Sequence, residues 1–347
     1  MIKKWFLALD NLVNRGKYLS VSNSGIGSFN DRNVDAPTHT QMMDDPSIDS
    51  VAIADRDRRH AAAVERLSDA GRADWPPVYP DPFPGLSGAV PEIGAADLTV
   101  DVVGGAVAHH GVLLIRGLFN AEQVADTRAV QDRVKAASLL DSHEGSGWYL
   151  PFDGKSRLEK ALRSRTESRG GNWLADSPLG LTKVMHILES VGVVGVINEH
   201  FQERSAISLQ KSTLRSVQPE PSDTGWHQDG SFLDDDVRSM NVWVALSPCG
   251  GMIPASGIEL IPRRFEDILP VDTALGVATI SPDVINEIKQ QYPSLNPQFA
   301  AGDALMFDEH FVHRTSLEPG ITEVRYALEC WFFAPSHSAS NYVPFLA

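Results

Sequence analysis

The feature that most constrains this 347-residue sequence is its change of texture at Ala206. From there to Phe333 it falls into short runs rich in β-branched and aromatic residues, at 206–217, 239–246, 257–261, 303–307 and 324–333, separated by Gly and Pro turns. Runs of that length and composition are strands. Only one helix is expected among them, at about 282–291, with Ser281 as cap and Pro282 at its first position. Upstream the text is different. An apolar strand at 111–118 precedes a helix at 121–137 capped by Asn120, and a second helix is expected at 181–201. Helices first and many short strands after them predict an α+β, mainly β chain: a double-sheet sandwich or barrel at 206–333, flanked by helices.

Residues 1–95 read as an N-terminal extension and 96–347 as one domain. Segment 20–50 is rich in Ser, Asn, Asp and Gly and reads as a loop or tail. A helix is expected at 55–70, and the proline-rich stretch WPPVYPDPFP as an extended arm. At the start, Lys3 and Lys4 precede an apolar run, 5–9, that Asp10 and Asn11 interrupt, so neither a signal peptide nor a membrane span is expected. The net charge of −15 disfavours nucleic acid and anionic lipid as partners. Two cysteines, Cys249 and Cys330, make no CxxC pair, which fits a reducing cytoplasm and offers no thiolate metal site.

One histidine begins a His-x-Asp triplet: His227-Gln228-Asp229. In an extended segment residues two apart point the same way, so both side chains can face one ion. A third ligand should come from the strand opened by Gly302-Asp303, which runs into His310 and His313. Two imidazoles and one carboxylate leave several positions open on an octahedral ion, which suits Fe(II) and oxygen chemistry better than catalytic zinc. Pro319-Gly320 signals a turn; a hairpin centred there would set Thr315 near Arg325 and put His313, Thr315 and Arg325 on one wall. A guanidinium there could hold the far carboxylate of a dicarboxylic 2-oxo acid.

These blocks resemble the phytanoyl-CoA dioxygenase family of 2-oxoglutarate oxygenases over about 105–335. GVLLIRGLFNAEQV resembles its first strand and helix, TGWHQDGSF its His-x-Asp motif, and NVWVALSPC with GIELIPRRF its central strands. GDALMFDEHFVHRTS resembles its distal-histidine strand and RYALECWFF its arginine strand. The resemblance implies a double-stranded β-helix, a cupin-like jelly roll. It implies Fe(II) on His227, Asp229 and His313, the spacing from Gly302 favouring His313 over His310. It also implies 2-oxoglutarate on Arg325 with Thr315, O₂ as second cosubstrate, and hydroxylation of a small molecule with release of succinate and CO₂. Asp229, present where related halogenases lack a carboxylate, argues for hydroxylation. One departure is that LIPRRF stands where the family carries a longer glycine-containing stretch. The alternative is a cupin-type metal enzyme that does not use 2-oxoglutarate.

Other residues invite weaker readings. Trp226, Asn241 and Trp243 are candidates to face the cavity, as is one of Gln210, Lys211 and Arg215, polar where a core strand would be apolar. His109-His110 reads as surface at a strand start, and Asp234-Asp235-Asp236 as a solvated loop.

Overall fold

The computed structural model describes residues 46–67, 75–152, 157–219, 225–233, 236–272, 274–275 and 278–347. The 20–45 part of the expected tail, and Asp234 and Asp235, lie outside the described residues. Asp45–Ala347 form one compact unit.

The chain order is α1 (Pro46–Arg66), β1 (Glu92–Gly94), α2 (Val100–His110), β2 (Val112–Arg116), α3 (Ala121–Ser138) and α4 (Arg157–Ser168). Next come β3 (Gly171–Trp173), α5 (Pro178–Ser190), α6 (Val193–Phe201), β4 (Ala206–Ser208), β5 (Thr213–Val217) and β6 (Ser239–Ala245). The remainder is β7 (Ile258–Leu260), α7 (Pro282–Gln291), β8 (Ala304–Phe307), β9 (His313–Thr315), β10 (Arg325–Phe333) and β11 (Pro344–Leu346).

The large sheet runs β1-β2-β8-β6-β10-β4-β11, with β5 also paired to β10 and β3 to β5. The small sheet is β7 with β9. Two isolated bridges widen it: His227 to His313 on one side and Leu260 to Leu295 on the other. The two sheets face each other as a jelly roll, and the helices cover the outer face of the large one.

Burial explains the strand patterns. β6 is buried at all seven positions. Val242 and Val244 join the core under the helices with Leu328, Ile197 and Leu188. Trp243 and Ala245 join the core between the sheets with Leu305, Phe307, Ile258 and Ala327. A strand covered on both faces loses its polar alternation, so it reads as a continuous apolar run.

Several elements form for local reasons. Asn120 and Gln123 make a reciprocal capping box at the start of α3, which satisfies two otherwise unpaired amides. The expected helix at 181–201 is two helices, α5 and α6, bent by 79° at Gly192, whose φ of +83° is left-handed. The expected strand at 206–217 is likewise two, because a turn closed by Ser212 N–H on Ser208 C=O separates β4 from β5. Ser281 precedes α7, but its side chain accepts no capping hydrogen bond; Pro282 alone marks the start of the helix.

The compositional boundary at 95/96 runs through the compact unit. α1 sets Ala63 against Ala206 and Leu346, and Arg59 donates to the Leu346 carbonyl at 3.0 Å. The proline-rich arm is tied down as well. Tyr79 Oη meets His200 Nδ1 at 3.2 Å, and Asp81 meets His110 Nε2 at 2.9 Å. His109 and His110 end α2 rather than begin a strand, and His110 is buried, which corrects its reading as surface. Among the described residues no single helix is long and apolar enough to cross a membrane.

Candidate metal centre

His227, Asp229 and His313 converge. One ligand atom from each lies within 4.8 Å of the others. The convergence is built by backbone. His227 and His313 exchange N–H···O=C bonds of 3.0 and 3.1 Å, which brings their rings to 4.4 Å between centroids. Gln228 between the first two ligands is extended, so His227 and Asp229 project to the same side. Gln228 projects to the other side and is fully buried. There its amide donates to the carbonyls of His310 and Asp267 and accepts from Leu269 N–H, which fixes the segment.

The donor set suits a divalent cation. Each imidazole is held through Nδ1 by a main-chain carbonyl, His227 by Gly225 at 2.9 Å and His313 by Phe311 at 3.1 Å. A ring that donates from Nδ1 keeps its Nε2 lone pair for a metal. His227 Nε2 lies 3.7 Å from Asp229 Oδ1. Burial pushes the His227 pKa down to about 4, with His313 adding to the effect, and burial also lowers His313. Both rings are therefore neutral at pH 7, the form that ligates. Burial pushes Asp229 up to about 6, against the pull of His227 and Lys211, and Asn241 hydrogen-bonds its carboxylate. A cation between the three would relieve that strain on the carboxylate.

The centre opens on a cavity of about 340 Å³, within the size range of small-ligand sites. Asn241, Trp243, Ile258, Phe307, Thr315 and Arg325 line it. Arg325 is only 3% exposed and makes no ion pair with an acidic side chain among the described residues. Its Nη1 donates to the carbonyls of Ser256 and Gly257 at 3.2 and 2.9 Å, and its Nε has no hydrogen-bond partner among the described residues. Trp243 lies under the guanidinium at 5.6 Å. Burial lowers its pKa to about 10, so it stays charged at pH 7. A buried cation left short of an acceptor is costly unless an anion completes it.

The expected Thr315–Arg325 hairpin does not form. β9 pairs with β7 in the small sheet, whereas β10 pairs with β4, β5 and β6 in the large one. The turn at Pro319-Gly320 carries the chain from one sheet to the other, and Thr315 and Arg325 still line the same cavity from opposite walls.

His310 lies outside the cluster, 3.6 Å from Glu309. Trp226 packs away from the cavity, on Ile261, Ile280, Ile285 and Val312. Gln210 is engaged by Val343 N–H. Arg215 lines the cavity. Lys211 sits in an aromatic box, with Phe232 and Trp331 at 3.8 and 4.6 Å from its ammonium, and burial lowers its pKa to about 8. LIPRRF contributes nothing to the cavity wall; Arg264 pairs with Asp308 instead. Sequence reasoning missed Glu329 and Arg169 as lining residues. Glu329 was findable, being four residues after Arg325 on one strand and so on the same face.

Residues 107–317 match the model of the phytanoyl-CoA dioxygenase (PhyH) family, more than half of the chain. The chain belongs to this family. Its members are 2-oxoglutarate-dependent oxygenases, the class to which the chain is thereby assigned. No curated protein matches it in sequence. Among solved structures it is similar to EctD from S. alaskensis with 2-oxoglutarate and 5-hydroxyectoine, at 14% identity and a TM-score of 0.51, over 76% of this chain and 89% of that one. It is also similar to the α-ketoglutarate-dependent carbocyclase SnoK from nogalamycin biosynthesis, at 14% identity and 0.48, over 75% and 100%. The likeness to EctD, at that identity, speaks to the jelly-roll fold alone.

Proposed function

We propose that this chain is an Fe(II)- and 2-oxoglutarate-dependent dioxygenase that hydroxylates an aliphatic carbon of a small-molecule substrate, releasing succinate and CO₂. His227, Asp229 and His313 would hold the iron. Arg325, with the Thr315 hydroxyl across the cavity, would take the far carboxylate of 2-oxoglutarate. Bound iron supplies O₂ activation coupled to oxidative decarboxylation of the 2-oxo acid.

The chain's own residues supply orientation and dryness. The carbonyls of Gly225 and Phe311 keep both imidazoles turned with Nε2 inward. The carbonyls of Ser256 and Gly257 fix the Arg325 fork while leaving Nε to the ligand. Trp243, Phe307 and Ile258 give the cavity apolar walls that limit water. The observation that carries the reading is that one cavity joins a two-histidine, one-carboxylate cluster to a buried guanidinium that makes no ion pair among the described residues. A cupin-type enzyme without 2-oxoglutarate would leave that guanidinium unexplained. Cys249 and Cys330, both free and buried, fit the proposed cytoplasmic setting.

Calorimetric titration of 2-oxoglutarate into Mn(II)-loaded protein tests the reading. Saturable binding that requires the metal supports it. A flat titration in folded, metal-loaded protein would sink it.

A further inference from the structure

We propose that Arg169 and Arg215 form an anion subsite at the cavity mouth, and that the prime substrate carries a carboxylate or phosphate group that docks there. The proposal rests on the oxygenase reading above for the role of the cavity, but the subsite itself stands on its own geometry.

Arg169 and Arg215 both line the cavity. They reach it from different elements, pinned together by backbone. Arg169 follows α4 in the turn that leads to β3. Gly170 has a φ of +76°, and a Cβ there would come within 2.1 Å of the Ser216 carbonyl oxygen. Its own carbonyl accepts from Ser216 N–H at 2.7 Å, and Gly171 is the register partner of Arg215. The turn is thus clamped onto β5 one residue from Arg215. Only glycine allows both the left-handed backbone and the close approach.

The clamp places like charges side by side. Arg169 makes no ion pair or side-chain hydrogen bond among the described residues. Its pKa is lowered by burial first and then by Arg165 and Arg215. Arg215 does have a partner, Glu329, reached through Nε. Its terminal nitrogens make no hydrogen bond among the described residues. Glu329 is shared, since Lys211 also bears on it and helps to hold its pKa below the usual carboxylate range. One carboxylate therefore faces three cations, Arg215, Lys211 and Arg325, while Arg165 and Arg169 add further positive charge. On a protein of net charge −15, cations gathered at one cavity mouth are a local exception. Guanidinium pairs of this kind bind oxyanions through forked hydrogen bonds. Arg325 on β10 is set aside from this subsite, because the cosubstrate reading already gives it a ligand.

The test is a calorimetric titration of methyl phosphate and, separately, propionate into Mn(II)- and 2-oxoglutarate-loaded protein. Saturable binding of at least one probe is expected, and the tighter of the two identifies the substrate's head group. Arg169→Gln, an exposed change that spares the fold, should weaken that probe about tenfold and leave 2-oxoglutarate affinity unchanged. Arg215→Lys, which keeps the charge and loses the fork, should weaken it by a smaller factor. Neither probe binding to wild type, or Arg169→Gln titrating like wild type, would overturn the proposal. Loss of 2-oxoglutarate affinity in Arg169→Gln would also overturn it by assigning the pair to the cosubstrate. If 2-oxoglutarate fails to bind wild type while the probes still bind, the oxygenase reading fails and the anion subsite stands.

Discussion

The cavity is lined by two arginines from adjacent strands, Arg325 on β10 and Arg215 on β5, and they differ in what holds them. Arg325 is almost fully buried and clamped by two main-chain carbonyls, and among the described residues no carboxylate is in ion-pair contact with it. Arg215 has a side chain 35% exposed and pairs with Glu329, a carboxylate it shares with Lys211. A main-chain carbonyl carries only a partial charge, so it orients a guanidinium without discharging it; a carboxylate does both. Arg325 is thus kept short of negative charge, which suits the dianion proposed for it. Arg215 is kept partly satisfied, as befits a residue that meets solvent between turnovers.

That contrast can be broken by exchanging what each arginine does. Arg325→Ala should raise the 2-oxoglutarate requirement most, about a hundredfold, because a buried charge-assisted fork is lost; calorimetry on Mn(II)-loaded protein reads it. Arg325→Lys should recover little of this, since an ammonium cannot reproduce the fork. Arg215→Ala should instead act on stability, costing about 1–3 kcal/mol by removing the Glu329 ion pair and leaving that carboxylate to Thr213, Trp331 and Lys211. Chemical denaturation reads that cost, and 2-oxoglutarate affinity should move by less than about threefold. Thr315→Val should have the smallest effect, a loss of about 0.5–1.5 kcal/mol in 2-oxoglutarate binding for one neutral hydrogen bond with the strand preserved. A Thr315→Val loss as large as that of Arg325→Ala would shift the anchor from the guanidinium to the hydroxyl.

What could be read from the sequence follows the same physical division. The pairing of His227 with Asp229 was legible because alternation along an extended chain is a local property, and Gln228 on the opposite side confirms it. That Thr315 and Arg325 share a cavity was also legible, but by the wrong route. Spacing suggested a hairpin, whereas β9 and β10 belong to different sheets and meet across the cavity. Arg169 was not legible at all. Its place depends on a left-handed glycine locking a helix end onto a strand some 45 residues away, a tertiary fact with no periodic signature. Helix α2 was hidden for a related reason. Its histidines resemble surface residues until the proline-rich arm is seen to cover His110. Trp226 shows the converse: it adjoins His227 in sequence, yet packs with α7 on the far side of the small sheet.

The central claim is that His313, and not His310 three residues before it, completes an iron site with His227 and Asp229. Anaerobic addition of Fe(II) and 2-oxoglutarate should develop the weak visible charge-transfer band of the chelate in wild type. The account predicts the same band in His310→Ala and none in a folded His313→Ala. A band that survives in His313→Ala, or is lost in His310→Ala, would contradict it.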